Sequence, residues 1–219
     1  MKSLLNYDNP FIQLLCRVGD LMIANFLFWV CCLPVVTAGA SLCGLIKVVQ
    51  SFTMGEEPGV MRTFFKGFRD NFRQGTLVWL ALLLLAASLV CDVLIGQIYL
   101  TGGVLTAVRT AVVILALAVL AAACYLFPLL VRYENTLREH CRNALILTIW
   151  KLPRTLALTA LNAAPFLLAW FAPVAFLKTL AVWLIVGFAG LCYLCCMLLR
   201  PVLARLEDRD QAPGGEAGA

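Results

Sequence analysis

Few polar or ionisable side chains lie within the apolar parts of this chain, where they would be expected to have a function. Asp92 is the one acid inside a long apolar run, and an ionisable group in such a run is costly unless it has a task. We expect Asp92 either to make a hydrogen-bonded contact between helices or to take part in moving a proton or a solute. Asn25 and Asn162 are the other polar candidates within apolar runs, because their amides can hydrogen-bond to a neighbouring helix.

Cysteine and histidine could bind a metal, but their positions predict packing. Eight of the ten cysteines fall inside apolar runs, where a free thiol behaves as a small hydrophobe: Cys31, Cys32, Cys43, Cys91, Cys124, Cys192, Cys195 and Cys196. The single histidine, His140, lies in a charged segment, and we expect it on the surface. The chain has no Ser/His/Asp set, phosphate-binding glycine loop or paired intramembrane carboxylates, so we expect no catalytic site, metal or cofactor, and no enzyme.

The elements that would position these residues are long apolar segments. Four runs contain no charged residue over 26, 22, 23 and 21 residues, and a fifth is interrupted only by Asp92. About 20 apolar residues in a helix cross a hydrocarbon layer of about 30 Å. The sequence therefore predicts an all-α membrane protein with about five transmembrane helices, at 21–46, 75–99, 108–131, 155–177 and 179–199.

Composition agrees with this fold class. Hydrophobic residues make up 63% of the chain and charged residues 13%, which leaves no polar surface for a large soluble module. We expect a single integral membrane domain over 1–206. The polar segment 207–219, rich in Gly, Ala and Pro, is predicted to be a disordered cytoplasmic tail.

Lysine and arginine positions predict orientation. Thirteen of these cations fall in the segments 47–73 and 132–154 or after the last run, whereas only Lys2, Arg17, Arg109 and Lys178 fall elsewhere. Cytoplasmic loops retain positive charge. We therefore expect a multi-pass protein of the inner (plasma) membrane, with both long loops and the C-terminus in the cytoplasm, and with a short loop near residue 100 and a tight turn at Lys178 outside.

The first run, 21–46, allows two interpretations. Pro34 and the small residues 37–41 lie near its middle. We favour one kinked helix, which would place the N-terminus outside. The alternative is a break at Pro34 and Gly39 into a re-entrant pair, which would keep the N-terminus inside.

The segment 58–74 predicts an amphipathic helix on the cytoplasmic membrane surface. Its aromatic residues recur every fourth position and its cations follow another face: Phe64, Phe68 and Phe72, then Arg62, Lys66, Arg69 and Arg73. Phenylalanines on such a helix would enter the acyl boundary while the cations meet anionic headgroups. The segment either anchors a loop to the membrane or presents a docking face to a partner protein.

Three blocks of sequence resemble the YesL-like family of bacterial membrane proteins, which carry a domain of unknown function. The blocks are CCLPVVTAGAS, TFFKGFRDNFRQGT and FPLLVRYENTLREHCRNALILTIWKLPRTL, and the similarity extends over about 6–200. The resemblance implies a small multi-helix inner-membrane protein, often encoded beside genes for carbohydrate uptake and degradation in Gram-positive bacteria. It implies no catalytic or ligand residues.

These observations favour a non-catalytic accessory or regulatory partner of a carbohydrate-uptake system. The expected partners are the lipid bilayer and a membrane complex such as an ABC-type sugar transporter, and no nucleic acid. The alternative is a small-solute transporter or channel in its own right, to which only Asp92 and the kink at Pro34 point. The sequence does not define an oligomeric state.

Overall fold

A computed structural model describes residues 10–56 and 59–211, and all regular structure in those ranges is helical. The helices are α1 (Pro10–Cys32), α2 (Ala38–Thr53), α3 (Val60–Asp70), α4 (Phe72–Tyr99), α5 (Gly102–Arg132), α6 (Leu137–Trp150), α7 (Leu152–Phe171), α8 (Pro173–Val182) and α9 (Phe188–Gln211). A 3-10 turn, Val35–Thr37, precedes α2, and a π-helical segment, Trp183–Gly187, joins α8 to α9.

The first apolar run is not one kinked helix, so the favoured prediction was wrong. It forms an antiparallel pair, α1 and α2. Ser41 Oγ donates to the Phe28 carbonyl oxygen at 2.9 Å, and Arg17 Nη1 lies 3.4 Å from the Phe52 carbonyl oxygen, so the start of α1 lies beside the end of α2. Arg17 therefore belongs to the same end of the molecule as the basic loops.

Pro34 and Thr37 explain why the chain reverses there. Pro34 is extended (φ −77°, ψ 110°), lacks a backbone N–H, and disfavours helix in the residue before it. Thr37 Oγ1 lies 2.7 Å from the Cys31 carbonyl oxygen, which α1 leaves without an intrahelical donor. The charge-free run between Asp20 and Lys47 is too short for two spans, so it did not indicate a pair of helices. Each helix in fact continues past a charged residue, because α1 contains Asp20 and α2 contains Lys47.

Helices α4 and α5 form a hairpin that extends far beyond α2. Its turn uses Gly102, whose φ of +63° is one that other residues rarely adopt. Trp79 Nε1 donates to the Val35 carbonyl oxygen at 2.9 Å, which places the α1–α2 turn beside the second turn of α4. From Trp79, α4 runs on to Tyr99, roughly 30 Å at 1.5 Å per residue.

The predicted boundary between the fourth and fifth spans was also displaced. The break falls at Ala172 (φ −137°, ψ 64°), immediately before Pro173, because proline cannot continue the hydrogen bonding of α7. Lys178 lies within α8 and is exposed, not in a turn. From Pro173 the chain is helical through the π segment to the end of α9.

Six helical stretches in the described residues are long and apolar enough to cross a membrane, one more than the sequence predicted: Leu15–Cys32, Val35–Thr53, Phe72–Tyr99, Gly102–Arg132, Leu152–Phe171 and Pro173–Leu203. The all-α membrane class is confirmed. Helix α9 continues through 207–211, the start of the predicted tail, and the rest of that tail, 212–219, lies outside the described residues. Pro58 lies outside them too.

The core is concentrated around α2 at the basic end of the molecule. Two thirds of the span Val35–Thr53 is buried, compared with 11% for Phe72–Tyr99. Helices α1, α3, α4, α5 and α9 all pack on α2. One half of the protein is therefore close-packed, while the far half of the α4–α5 hairpin contacts little else.

Candidate functional site

Glycines along α2, α3 and α4 bring these three helices into close contact. A Cβ on Gly39 would collide with the carbonyl oxygen of Gly75, so α2 and α4 meet backbone to backbone. A Cβ on Gly44 would lie 2.9 Å from the Phe64 carbonyl oxygen, and one on Gly67 would lie 2.6 Å from the Lys47 Cβ. Helix α3 is thus seated on α2 at two glycines, one from each helix.

The aromatic face of the basic segment packs on protein to a greater extent than predicted. Phe64 is fully buried against Gly44, so its predicted place in the acyl boundary was wrong. Phe68 is half-buried. The helix also ends earlier than predicted, at Asp70, and Phe72 begins α4 with 40% of its surface exposed. The close approach that glycine permits explains the difference, because α2 offers α3 a protein surface to cover.

The cationic face of the same segment is the one that remains accessible. Four cations are exposed: Arg62, Lys66 and Arg69 on α3, and Arg73 in the first turn of α4. None of them forms an ion pair with another described residue. Because α3 is fixed by its buried face, these charges stand on a rigid support at the basic end of the molecule.

Asn25 holds the π segment to α1. Its side chain is fully buried, and Nδ2 donates to the Leu184 carbonyl oxygen at 2.6 Å and lies 3.4 Å from that of Trp183. Its Oδ1 accepts a hydrogen bond from the Ala189 backbone N–H at 3.0 Å. A π-helical turn disrupts regular backbone pairing. Asn25 thus makes interhelical hydrogen bonds of the kind that its sequence position suggested.

Asn162 has a smaller interhelical role. Its Nδ2 donates to the Leu158 carbonyl oxygen of its own helix at 2.9 Å and lies 3.2 Å from Cys195 Sγ on α9. The contact shows that α7 packs beside α9. Asn162 does not share a site with Asn25, which bonds to the π segment and the start of α9.

Asp92 lies apart from both asparagines, exposed on α4. One turn further along, Gly96 faces Leu105 and Val108, so Asp92 is about level with Arg109 of α5. Nineteen residues separate Asp92 from Arg73, and 23 separate Arg109 from Arg132, or about 28 and 34 Å of helix. Both lengths are close to a hydrocarbon thickness of about 30 Å, so we expect Asp92 near the edge of the apolar layer.

Two buried polar contacts were not predicted from the sequence. Gln50, 4% exposed, donates from Nε2 to the Pro128 carbonyl oxygen at 3.1 Å and joins α2 to α5. The Tyr125 hydroxyl lies 3.0 Å from Thr155 Oγ1, which also lies 2.9 Å from the Thr148 carbonyl oxygen. No local pattern marked the second contact, because its two hydroxyls lie 30 residues apart. Gln50 could have been predicted as an interhelical contact, because it is a lone amide close to the end of a predicted span.

His140 is buried, 1% exposed, so the expectation of a surface residue was wrong. It lies on the face of α6, with Ala144 and Leu147, that packs against α5. Burial lowers the pKa of His140, while Glu139 and a hydrogen bond to the Asn135 backbone act in the opposite direction. Among the described residues Nε2 has no hydrogen-bond partner.

Glu139 itself has a structural role at the start of α6. Its carboxylate accepts a hydrogen bond from the Thr136 backbone N–H at 2.9 Å and another from the Thr136 hydroxyl, and these bonds lower the pKa of Glu139. The arrangement is a capping box that fixes where α6 begins.

No three His, Cys, Asp or Glu side chains within 10–56 and 59–211 converge as a metal would require. All ten cysteines are free thiols. The cysteines and asparagines of the described interior make packing contacts and hydrogen bonds.

Comparison with known proteins bears on the part of the chain around α2. Residues 21–93 match the family described as "Protein of unknown function, DUF624". A curated relative, "Uncharacterized protein YteU" of Bacillus subtilis (strain 168), is 25% identical over 170 residues, which cover 77% of this chain and 72% of the relative. Residues 21–93 are therefore similar to the DUF624 family. The YesL-like resemblance seen in the sequence is confirmed.

The DUF624 match coincides with the close-packed part of the structure. It begins within α1, contains all of α2 and α3, and ends within α4. The glycine contacts and the cationic face of α3 thus lie inside the matched region. No solved structure matches the chain.

Proposed function

We propose that this protein is a non-catalytic accessory or regulatory protein that binds a carbohydrate-uptake complex in the membrane. The observation that carries the proposal is the division of α3 into a face buried on α2 and a face of exposed cations. The link to carbohydrate uptake comes from the gene surroundings that the YesL-like resemblance implies.

Burial of Phe64 favours a protein partner over simple membrane anchoring. A surface helix that anchors a loop needs its large apolar side chains for the acyl boundary. Here Phe64 and Gly67 are used against α2, which holds α3 without help from lipid. Cations on a fixed support can complement an acidic surface of a partner, an arrangement that provides specificity and speeds association.

The proposal includes an orientation with the basic end in the cytoplasm. The α1–α2 pair brings Arg17 to that end, which strengthens the asymmetry on which the positive-inside rule depends. Reporter fusions within 54–59 and at the Leu100–Thr101 turn test it. We expect cytoplasmic activity from the first and external activity from the second, and the reverse result would refute the orientation.

Site-specific photo-crosslinking tests the docking face directly. A photoreactive residue at Lys66 should form an adduct with a subunit of a carbohydrate-uptake transporter in intact cells. Reversing the neighbouring charges, Arg62→Glu with Arg69→Glu, should remove most of that adduct. The matched control reverses Arg138 and Arg142, which are exposed cations on α6, and should leave the adduct unchanged.

Two crosslinking results would contradict the docking proposal. Adducts with lipid alone would mean that α3 only rests on the membrane surface. An adduct that survives reversal of Arg62 and Arg69 to the same extent as reversal of Arg138 and Arg142 would show that the α3 cations do not direct docking.

A further inference from the structure

A cavity of about 250 Å³ lies at the basic end of the molecule, between α1, α9 and the end of α2. Two arginines from different helices line it, Arg17 of α1 and Arg200 of α9. Thr53 and Tyr193 contribute hydroxyl-bearing side chains, and Met197 contributes an apolar wall. No part of α3 lines the cavity, so it is separate from the proposed docking face.

The charge in this cavity is not balanced by the described part of the protein. Neither arginine forms an ion pair with a described residue, and no carboxylate of 10–56 or 59–211 lines the cavity. Asp20 and Glu56, the acids nearest to the lining residues in the described sequence, are not among the lining residues. Arg17 makes only a long contact, 3.4 Å from Nη1 to the Phe52 carbonyl oxygen, and retains donors for another acceptor.

The cavity lies at the end of the spanning segments, where lipid phosphates are expected. Arg17 and Arg200 lie at the end of the molecule where α1 begins, α2 ends and α9 leaves its apolar stretch. Cations that flank a spanning segment meet the headgroup layer, and basic pockets between such helices bind anionic headgroups. A volume of 250 Å³ holds about eight waters at about 30 Å³ each, enough for a phosphate with a glycerol group.

We propose that this cavity binds a phosphate group between Arg17 and Arg200. A guanidinium donates two parallel hydrogen bonds to phosphate oxygens, a geometry that a lysine cannot provide. The phosphate comes either from the headgroup of an anionic phospholipid or from inorganic phosphate. The Tyr193 hydroxyl can add a neutral donor for a remaining oxygen.

Native mass spectrometry of the delipidated protein in detergent tests the proposal, with phosphatidylglycerol, phosphatidylcholine and inorganic phosphate offered separately. We expect Arg200→Gln to reduce the affinity for the bound species about tenfold, as for the loss of one charge-assisted hydrogen-bonding partner. Arg17→Gln with Arg200→Gln should abolish binding. Arg138→Gln with Arg142→Gln removes the same charge from exposed positions on α6 and should have no effect.

The three ligands distinguish the source of the phosphate. Retention of phosphatidylglycerol but not phosphatidylcholine assigns the cavity to anionic headgroups, and retention of inorganic phosphate alone assigns it to a soluble anion. No binding of any ligand, or binding that Arg200→Gln leaves unchanged, overturns the proposal. Since the Arg200 side chain makes no hydrogen bond with a described residue, its single variant should keep the thermal stability of the parent, which a melting curve verifies.

Discussion

The α2-centred half of the protein and the far half of the α4–α5 hairpin differ in what their apolar helix surfaces meet. The first packs its helices on one another, whereas the second leaves its apolar side chains exposed. Around α2, backbone-to-backbone contact at Gly39 and buried amides at Asn25 and Gln50 join the helices. In the far hairpin, Ile95, Ile98 and Val104 are more than half exposed, and lipid is the surface that they meet. Between helices in lipid there is little hydrophobic drive, so close approach and hydrogen bonds do most to hold helices together.

Among the variants that test close approach and hydrogen bonding between helices, the largest effect is expected at Gly39. Changing Gly39→Ala forces a Cβ into the Gly75 carbonyl, and overpacking of this kind costs about 1–3 kcal/mol. We expect a clear loss of stability in denaturant titrations in detergent micelles. Gly190→Ala is the matched control, because a Cβ there meets nothing within 4 Å. Equal stability of the two variants would mean that α2 and α4 do not touch at Gly39.

Asn25→Leu should have the next largest effect. It removes the hydrogen bonds to Leu184 and Ala189 from a fully buried site, at a cost of about 1–2 kcal/mol. The same titration measures it, with Gln97→Leu on the exposed surface of the hairpin as control. A variant as stable as the parent would argue that the π segment holds its position without Asn25.

Acidification should weaken the packing of α6 on α5. Burial lowers the pKa of His140, so the folded protein resists a proton that the unfolded chain accepts near pH 6.5. Stability is therefore complete above about pH 6.5 and should fall as pH decreases below it. His140→Gln should flatten that slope between about pH 7 and 5, and an unchanged slope would assign the pH dependence to other groups.

Ile95→Ala should have the smallest effect, below about 0.5 kcal/mol, because both states of an exposed side chain meet detergent or lipid. Leu45→Ala, at a position 1% exposed on α2, should cost about 2–4 kcal/mol in the same titration and serves as the buried reference. Similar losses of stability at Ile95 and Leu45 would mean that the two halves of the protein do not differ in packing.

The helical membrane class could be predicted from the sequence because charge-free runs of this length are rare in water-soluble domains. The α1–α2 pair was missed because Asp20 and Lys47 lie inside helices and were taken as the limits of one span. Helix boundaries near a membrane surface tolerate charged residues, so charge marks the edge of the apolar layer more reliably than the end of a helix.

The amphipathic pattern of 58–74 identified which residues share a face but not what that face meets. Phenylalanines at a helical spacing fit lipid or protein equally well, and the choice depended on Gly44, which lies on another helix and 20 residues before Phe64. His140 was missed for the same reason, since α5 supplies its cover. Such contacts are set by tertiary approach, which no local pattern contains.

The turns at the far ends of the helices have a consequence for biosynthesis. The apolar helices are interrupted over only a few residues at Leu100–Thr101 and at Ala172, and neither turn carries a charge. In the orientation proposed above, an insertion machinery would therefore move hardly any polar backbone across the bilayer at these turns, and few ionised groups besides Asp92, Arg109 and Lys178. Each hairpin could partition as a unit while the ribosome-bound chain stays on the side of synthesis.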